Sequence, residues 1–557
     1  MKKIVKTTIK SVLYVLYYGI IAFLLYFVVA GRTLTDWYDV TFGTRFREIV
    51  YTFNLGLTGA DTSFMNEALQ ECRPDLIKAT VIGMLFVLAR DLLPAFLMLF
   101  VLADVIVFRR VGRRKVRVDE FKGQHDVQKE TAKNETEEAK PEYRWVRSKW
   151  GYALRGVYHV TILLICLFLA KPVYAYADQV LEVSDFVRSK LTYTKIYDEK
   201  YVAPSSVQIQ NTRKKKRNVI IVYMESMETT YASKDLGGYQ NHNLMPNLYN
   251  LQQENTAFGD RKGMAGTHNP AGTTWTTASI LSSSSGIPFA FNMGMNKNEG
   301  NDADQGKFAK GITTLGDILE KQGYNQEFIC GSDSTFGRKK KLFREHGSYK
   351  IFDYYSAIDA GYIDKDYKVW WGMEDFRTYE AAKDEILKLS EKDKPFNCTM
   401  LTVDTHHVGG YKCMKCPTGN GSKTANVVAC ADRQGQEFVD WCKAQDFYEN
   451  TTIVILGDHP RMDKKLVQGV DKKDREAIDV FINSASPYQK INQKRTAATM
   501  DLFPTILSSM GYSIEGNRLG LGTNLFSSKK TLSEEMGYDE FNLELGKNSR
   551  FYHKEFE

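Results

Sequence analysis

The sequence has no internal repeat, no second CxxC, no HxxxH, no small-residue site closing its first apolar run, and little net charge. Each absence removes a class of protein. Without a repeat, a solenoid or propeller is excluded. Without a partner pair, Cys413-x-x-Cys416 reads as part of a disulfide with Cys430 rather than as half of a zinc site, and which of the two joins Cys430 stays open. Without a cleavage site, the first apolar run is an anchor and not a removable signal peptide. The net charge of +7 is modest, and its Lys and Arg cluster at Lys2 to Lys10, Arg109 to Arg117 and Lys214 to Arg217, beside apolar segments. That placement suits a membrane surface and argues against nucleic acid.

What is present begins with three apolar stretches near the ~20 residues a helix needs to cross a bilayer. They run over Val12 to Ala30, Ala79 to Phe108 and Val157 to Tyr176. Arg90, Asp91 and Pro94 interrupt the middle one, which reads as one tilted span formed mainly by its second half, not as a hairpin. Positive charge before the first span and after the second agrees with that count. Three spans put everything beyond Tyr176 outside the bacterial cytoplasmic membrane, on the periplasmic or extracellular side. There the cysteines from Cys330 onward can form disulfides.

The expected layout is a transmembrane region over 1–183 with a cytoplasmic loop over about 110–150 and a juxtamembrane linker over 184–217. A catalytic domain over 218–526 and a C-terminal tail over 527–557 complete it. Residues 119–141 are too polar to bury a core. From Asn218, short β-rich runs alternate with amphipathic segments: strands over 218–224, 396–403 and 451–456, helices over 245–255, 313–322, 374–392 and 434–445. This predicts an α/β domain with a mainly parallel central sheet flanked by helices.

Each strand ends in groups able to bind metal or carry protons. Glu225 follows the first, Asp404 with His406 and His407 the second, Asp458 and His459 the third. In open α/β sheets, ligands bind beyond the carboxyl ends of the strands. A lone carboxylate at a strand end is more often a cap or a solubilising group, but three such ends can converge on one pocket. Glu225, Asp458 and His459 offer mixed oxygen and nitrogen donors suited to one divalent ion, Mn²⁺ first, with Mg²⁺ and Zn²⁺ compatible. A nucleophile is available in GTHNPAGTTWTTASILSSSSGIP (266–288). There a metal and a helix N-terminus would lower the proton affinity of a threonine hydroxyl. Spacing alone leaves Thr273, Thr274, Thr276 and Thr277 equivalent.

The ordered series NVIIVYMES, GTTWT with SGIP, CGSDSTFGRKKKLFREHG, LTVDTHH and LGDH resembles the alkaline phosphatase and sulfatase superfamily. Within it, the series is most similar to the membrane-bound phosphoglycerol transferases, the group of phosphoglycerol transferase I of periplasmic glucans and lipoteichoic acid synthase. The resemblance covers residues 216–525. It implies a sulfatase-like fold, Glu225, Thr276, Asp458 and His459 as metal ligands, and Thr276 as nucleophile. It implies His406 as the proton-transferring group near the substrate phosphate, with His407 beside it, and Lys339 as a cation facing the phosphoglycerol. Asp333 falls either in the same glycerol pocket or in a cap of the following turn. DTHHVGG departs from the family's DTHHPDG, which removes any acidic role at Gly409.

The function so implied is transfer of sn-glycerol-1-phosphate from phosphatidylglycerol to a periplasmic or cell-surface glycan, through a covalent threonine intermediate and with release of diacylglycerol. A phosphoethanolamine transferase acting on lipid A or glycan is the alternative, although the loop 266–288 lacks the cysteine usual beside that nucleophile. A sulfatase- or phosphodiesterase-like hydrolase is the third reading. The partners expected are the lipid donor, the glycan acceptor and the membrane.

Overall fold

The computed structural model describes residues 2–55, 58–60, 113–117, 143–147, 149–290, 308–488 and 491–557. The expected middle span and the polar linker 119–141 lie outside these residues. Contacts divide the chain into one unit of Met1–Trp37 with Gln70–Val180, and a second of Tyr38–Leu69 with Leu181–Glu557.

The N-terminal part of the chain contributes α1 (Lys2–Thr41), α2 (Phe46–Leu55) and α3 (Lys149–Leu181). Within α3, Gly156–Leu181 is long and apolar enough to cross a bilayer, and the bent pair Val15–Val28 and Ala30–Thr41 within α1 qualifies if counted as one span. The expected first and third spans fall in these helices. In the first unit, Ile21 packs with Ile162 and Cys166, and the Tyr17 hydroxyl donates to the His159 carbonyl at 2.9 Å.

The second unit is built on a seven-stranded sheet: β1 (Asn218–Met224), β2 (Gly266–Thr267), β3 (Asn325–Cys330), β4 (Lys350–Phe352), β5 (Phe396–Leu401), β6 (Thr451–Gly457) and β7 (Ala477–Ile482). Their order is β2-β7-β6-β1-β5-β3-β4. The five strands from β6 to β4 are parallel. Strand β7 runs antiparallel to both β6 and β2, so the sheet is mixed, with a mainly parallel centre.

In β1 the odd residues Val219, Ile221 and Tyr223 enter one core, with Ala278, Ile280 and Leu281 of α5 (Thr276–Ser285). The even residues Ile220, Val222 and Met224 enter a second core with residues of α4 (Pro246–Glu254), Asp375–Ser390 and Lys423–Lys443. Both faces of the strand are therefore covered, which is why it reads as a continuous apolar run with no polar alternation.

Several boundaries differ from the sequence expectation. The helix expected over 434–445 begins at Lys423, where the Ser422 hydroxyl accepts from the Ala425 N–H at 3.1 Å and caps the first turn. Residues 184–217 are more than a spacer. Ile196 and Tyr197 are buried, and Ile209–Asn211 pairs antiparallel with Tyr512–Ile514. Residues 527–557 form three short helices, Leu532–Met536, Tyr538–Gly546 and Arg550–Glu555, because Phe541, Leu545, Tyr552 and Phe556 are buried in the first core. Residues 38–69 also belong to this unit.

Candidate active site

The carboxyl ends of the central strands bring three of the expected ligands together. The turn after β1 places Ser226 in the left-handed region, φ +55°, and aims its N–H at Asp458 Oδ1, 2.8 Å away. The Ser226 hydroxyl donates to Glu225 Oε1 at 2.7 Å. His459 Nε2 lies 3.7 Å from Glu225 Oε1 and 3.4 Å from Asp458 Oδ2. All three side chains are buried, and their ligand atoms lie within 4.8 Å of one another.

Thr276 is the first residue of α5, with Trp275 as its N-cap. Its hydroxyl donates to Glu225 Oε2 at 3.2 Å and lies 3.4 Å from His459 Nε2. Of the four threonines that spacing left equivalent, this is the one whose hydroxyl meets the cluster. Thr273 donates to the Pro270 carbonyl, at 2.8 Å, and Thr274 donates to Glu48.

The electrostatics agree with a cation site. Burial raises the Glu225 carboxyl, but the imidazoles of His406 and His459 and the Ser226 hydroxyl outweigh it and hold the group down to about 2. Asp458 moves the other way, to about 7, through burial and then the neighbouring Glu225 charge. For His459 burial works downward, but Asp458 and Glu225 outweigh it and raise the ring. Asp458 Oδ2 is buried and receives no hydrogen bond among the described residues. Two crowded carboxylates, an imidazole, a hydroxyl and an orphaned buried oxygen fit one divalent ion.

A sulfatase family model matches residues 217–512, more than half of the chain. The chain belongs to the sulfatase family. Among similar proteins are phosphoglycerol transferase I of Xanthomonas campestris pv. campestris, 27% identical over 392 residues (69% of this chain, 52% of that protein), and phosphoglycerol transferase I of Salmonella choleraesuis, 28% identical over 385 residues (68% and 47%). The chain spans about half the length of these curated relatives. Similar solved structures include an alkaline phosphatase superfamily protein from Vibrio parahaemolyticus (TM-score 0.44, 23% identity, 63% of this chain and 79% of that one) and the lipoteichoic acid synthase LtaP of Listeria monocytogenes (TM-score 0.43, 18%, 57% and 79%).

Of the other expected residues, His406, His407 and Lys339 come within charge-interaction range of Glu225. His406 stacks against His407 at 4.3 Å and meets the Trp371 ring at 4.7 Å between centroids. Its Nδ1 lies 2.6 Å from the His407 carbonyl oxygen, which can only accept, so Nδ1 carries the hydrogen. Burial lowers the pKa of both rings, that of His407 most. Lys339 is buried; its Nζ donates to the Phe336 carbonyl at 2.7 Å and lies 5.2 Å from the Phe336 ring centroid. Burial lowers it, while the Glu225, Asp333 and Asp458 charges favour its protonated form. Asp333 caps its own turn, accepting from Thr335 N–H and hydroxyl at 2.8 and 2.7 Å. Cys413 Sγ lies 3.6 Å from Cys416 Sγ and 3.9 Å from Cys430 Sγ. The sulfurs stand together without a bond between them, where the sequence leads one to expect a bond to Cys430.

Sequence reading missed two contributors. Arg461, two residues beyond His459, is fully buried, grips Asp463 through Nε and Nη2 at 2.8 and 2.7 Å, and donates to the Thr405 carbonyl at 2.6 Å. It thereby ties the turn carrying His459 to the turn carrying His406.

The other is the segment around α2. The Thr274 hydroxyl donates to Glu48 Oε1 at 2.7 Å, and Glu48 Oε2 accepts from the Arg45 N–H at 2.7 Å. Tyr51 packs on Trp275 at 5.1 Å between ring centroids. Arg338 Nε donates to the Leu55 carbonyl at 3.2 Å, next to Lys339. A Cβ on Gly59 would lie 2.5 Å from Thr335 Oγ1 and 2.8 Å from Asp333 Oδ2, so residues 58–60 press on that turn as well. Asp39 anchors the segment's near end through Arg45 at 2.7 Å and Lys464 at 2.6 Å.

Proposed function

We propose that this chain moves a phosphoglycerol group from phosphatidylglycerol to a periplasmic or cell-surface glycan through a covalent intermediate on Thr276, releasing diacylglycerol. The observation that carries the reading is the Thr276 hydroxyl at the start of α5, 3.2 Å from Glu225 and 3.4 Å from His459. Relatives named phosphoglycerol transferase I support it. Membership of the sulfatase family alone would also serve a hydrolase. A helix candidate long enough to cross a bilayer suits a donor that never leaves one, because an enzyme anchored in the same plane meets it at raised effective concentration. In this reading the catalytic domain stands outside the cytoplasmic membrane.

Glu225, Thr276, Asp458 and His459 would hold one divalent ion, Mn²⁺ first among candidates; bound there, it lowers the proton affinity of the hydroxyl and neutralises charge on phosphoryl oxygens. Thr276 Oγ attacks phosphorus, an O–P bond forms, and the bond from phosphorus to the diacylglycerol oxygen breaks. The proton lost by Thr276 equals the one diacylglycerol gains. With Nδ1 hydrogen fixed on the His407 carbonyl and the ring kept neutral by burial, His406 Nε2 takes up that proton and returns it to the leaving oxygen. In the second half it takes the proton of the acceptor hydroxyl, whose oxygen bonds to phosphorus as the bond from phosphorus to Thr276 Oγ breaks, and passes that proton to Thr276 Oγ. Lys339 adds a fixed positive charge beside the transferred group.

The test is incubation of the purified protein with head-group-labelled phosphatidylglycerol and Mn²⁺, following diacylglycerol and the labelled head group. Wild type releases diacylglycerol; Thr276→Ala releases it slower by on the order of 10⁶-fold, the scale seen when a covalent nucleophile is removed. Silence of the wild type with every divalent ion tried overturns the transfer reading. Full activity of Thr276→Ala overturns the nucleophile alone.

A further inference from the structure

A second group of metal-binding side chains lies away from the Thr276 cluster: Asp260, His268 and Glu476. Its placement follows from the sheet. Strands β2 and β7 pair antiparallel with Thr267 opposite Ala477, so the next residue of one, His268, comes opposite the preceding residue of the other, Glu476. His268 Nε2 stands 3.3 Å from Glu476 Oε1 and 3.9 Å from Asp260 Oδ2. These separations match those between ligands bound to one ion at about 2.0–2.2 Å, which span about 3–4 Å.

Glu476 supplies the second observation. The residue is 1% exposed, and neither carboxylate oxygen receives a hydrogen bond among the described residues. A carboxylate buried without donors is costly unless a proton or a cation compensates it. Arg261, whose charge acts on Glu476, is paired with Asp474 at 2.8 Å, and the adjacent Arg475 with Glu228 at 2.8 Å. Burial and the Asp260 charge both drive the Glu476 carboxyl well above its usual range. Around the gap the walls are already built: Tyr538 stacks on the His268 ring at 4.3 Å, and the Thr496 hydroxyl donates to Asp260 Oδ2 at 2.6 Å. Asp260 is partly exposed, which leaves an entry path.

We infer that Asp260, His268 and Glu476 form a second cation site, for a divalent transition ion such as Mn²⁺ or Zn²⁺. Two carboxylates and an imidazole suit such ions better than Ca²⁺, which takes oxygen ligands. The ion clips the 260 loop to the sheet edge at β2 and β7. The clip reaches the active site along the chain, because Asn269, next to His268, donates through Nδ2 to the Asp458 and Thr273 carbonyls, both at 3.0 Å.

The experiment counts metal. Full-length protein in detergent is stripped with EDTA, loaded with Mn²⁺, which the thiols of Cys413, Cys416 and Cys430 bind poorly, and passed through a desalting column before elemental analysis. The site predicts two Mn²⁺ per chain in wild type, one in His268→Gln, one in His459→Gln and none in the double variant. Glu476→Gln, which keeps the shape of the side chain, also holds one and unfolds at lower temperature than wild type in Mn²⁺. The proposal is overturned if His268→Gln and Glu476→Gln keep the wild-type count. It is equally overturned if Glu476→Gln melts at or above wild type in Mn²⁺, because a proton then compensates the buried carboxylate.

Discussion

Glu48 touches neither metal ligand nor substrate group, yet its removal is expected to slow turnover. Glu48→Ala strips the acceptor from the Thr274 hydroxyl and from the Arg45 N–H, both at 2.7 Å, the first part-buried and the second buried. A hydrogen bond to a charged group contributes about 1.5–3 kcal/mol. Thr274 is two residues from the nucleophile, and Trp275 between them packs on Tyr51 of the same helix. If that energy holds the start of α5 in its reactive position, its loss converts at ~1.4 kcal/mol per decade to a kcat lower by about ten- to a hundredfold. The KM for lipid donor should not move if Glu48 acts only through Thr274 and Arg45.

Diacylglycerol release by Glu48→Ala, Thr274→Val and the double variant gives the coupling directly. The double variant should be no slower than the worse single one. Glu48→Gln, which keeps an acceptor oxygen but loses the charge, should fall between. The reasoning is refuted if the two single effects add to within ~0.5 kcal/mol, or if Glu48→Ala keeps wild-type kcat.

Two further outcomes follow from buried charges. Lys190 lies over the Phe186 and Tyr51 rings, 5.6 and 5.9 Å from their centroids, and burial lowers its pKa to about 8. An amine held below its unfolded value costs stability fully below pH 8, a cost that fades as pH rises towards 10.5. Lys190→Met should therefore melt above wild type at pH 7, by a difference of about 2–3 kcal/mol allowing for partial exposure, and should lose the rise in stability that wild type shows between pH 8 and 10. Arg461→Ala leaves Asp463 buried without its guanidinium and should cost about 3–5 kcal/mol in thermal or urea unfolding. Arg461→Lys, unable to make the two-pronged contact, should recover only part of it.

The parts of the fold readable in sequence were those whose local chemistry and tertiary role agree. NVIIVYM and TTIVIL are β-branched runs buried on both faces, and they form β1 and most of β6. Strand β3, NQEFIC, escaped because Gln326 and Glu327 sit in a buried strand. Their partners are remote in sequence: Gln326 bonds to the Gly316 and Gly347 carbonyls and to Asn397, and Glu327 pairs with Lys350 at 3.0 Å. Residues 527–557 resemble a tail because Lys and Glu are frequent in them, while their five buried apolar side chains, Leu532, Phe541, Leu545, Tyr552 and Phe556, are spread over three short helices and the residue after the last. In the site, Glu225, Asp458 and His459 were legible from strand ends. Thr276 emerged from four threonines only through family resemblance. Glu48 could not be found at all, since nothing local to FREIVYTFNL marks one carboxylate as the acceptor for a hydroxyl far along the chain.

That distance affects how the protein folds. Glu48 and Thr274 are separated by 226 positions, so α2 leaves the ribosome before any strand of the sheet exists. At about 5–20 residues per second, roughly 10–45 s pass before its partner is synthesised. Closing so long a loop comes late and slowly in folding. The Thr274 hydroxyl therefore meets its acceptor only when the early part of the sulfatase-family domain folds back onto a helix translated near the start.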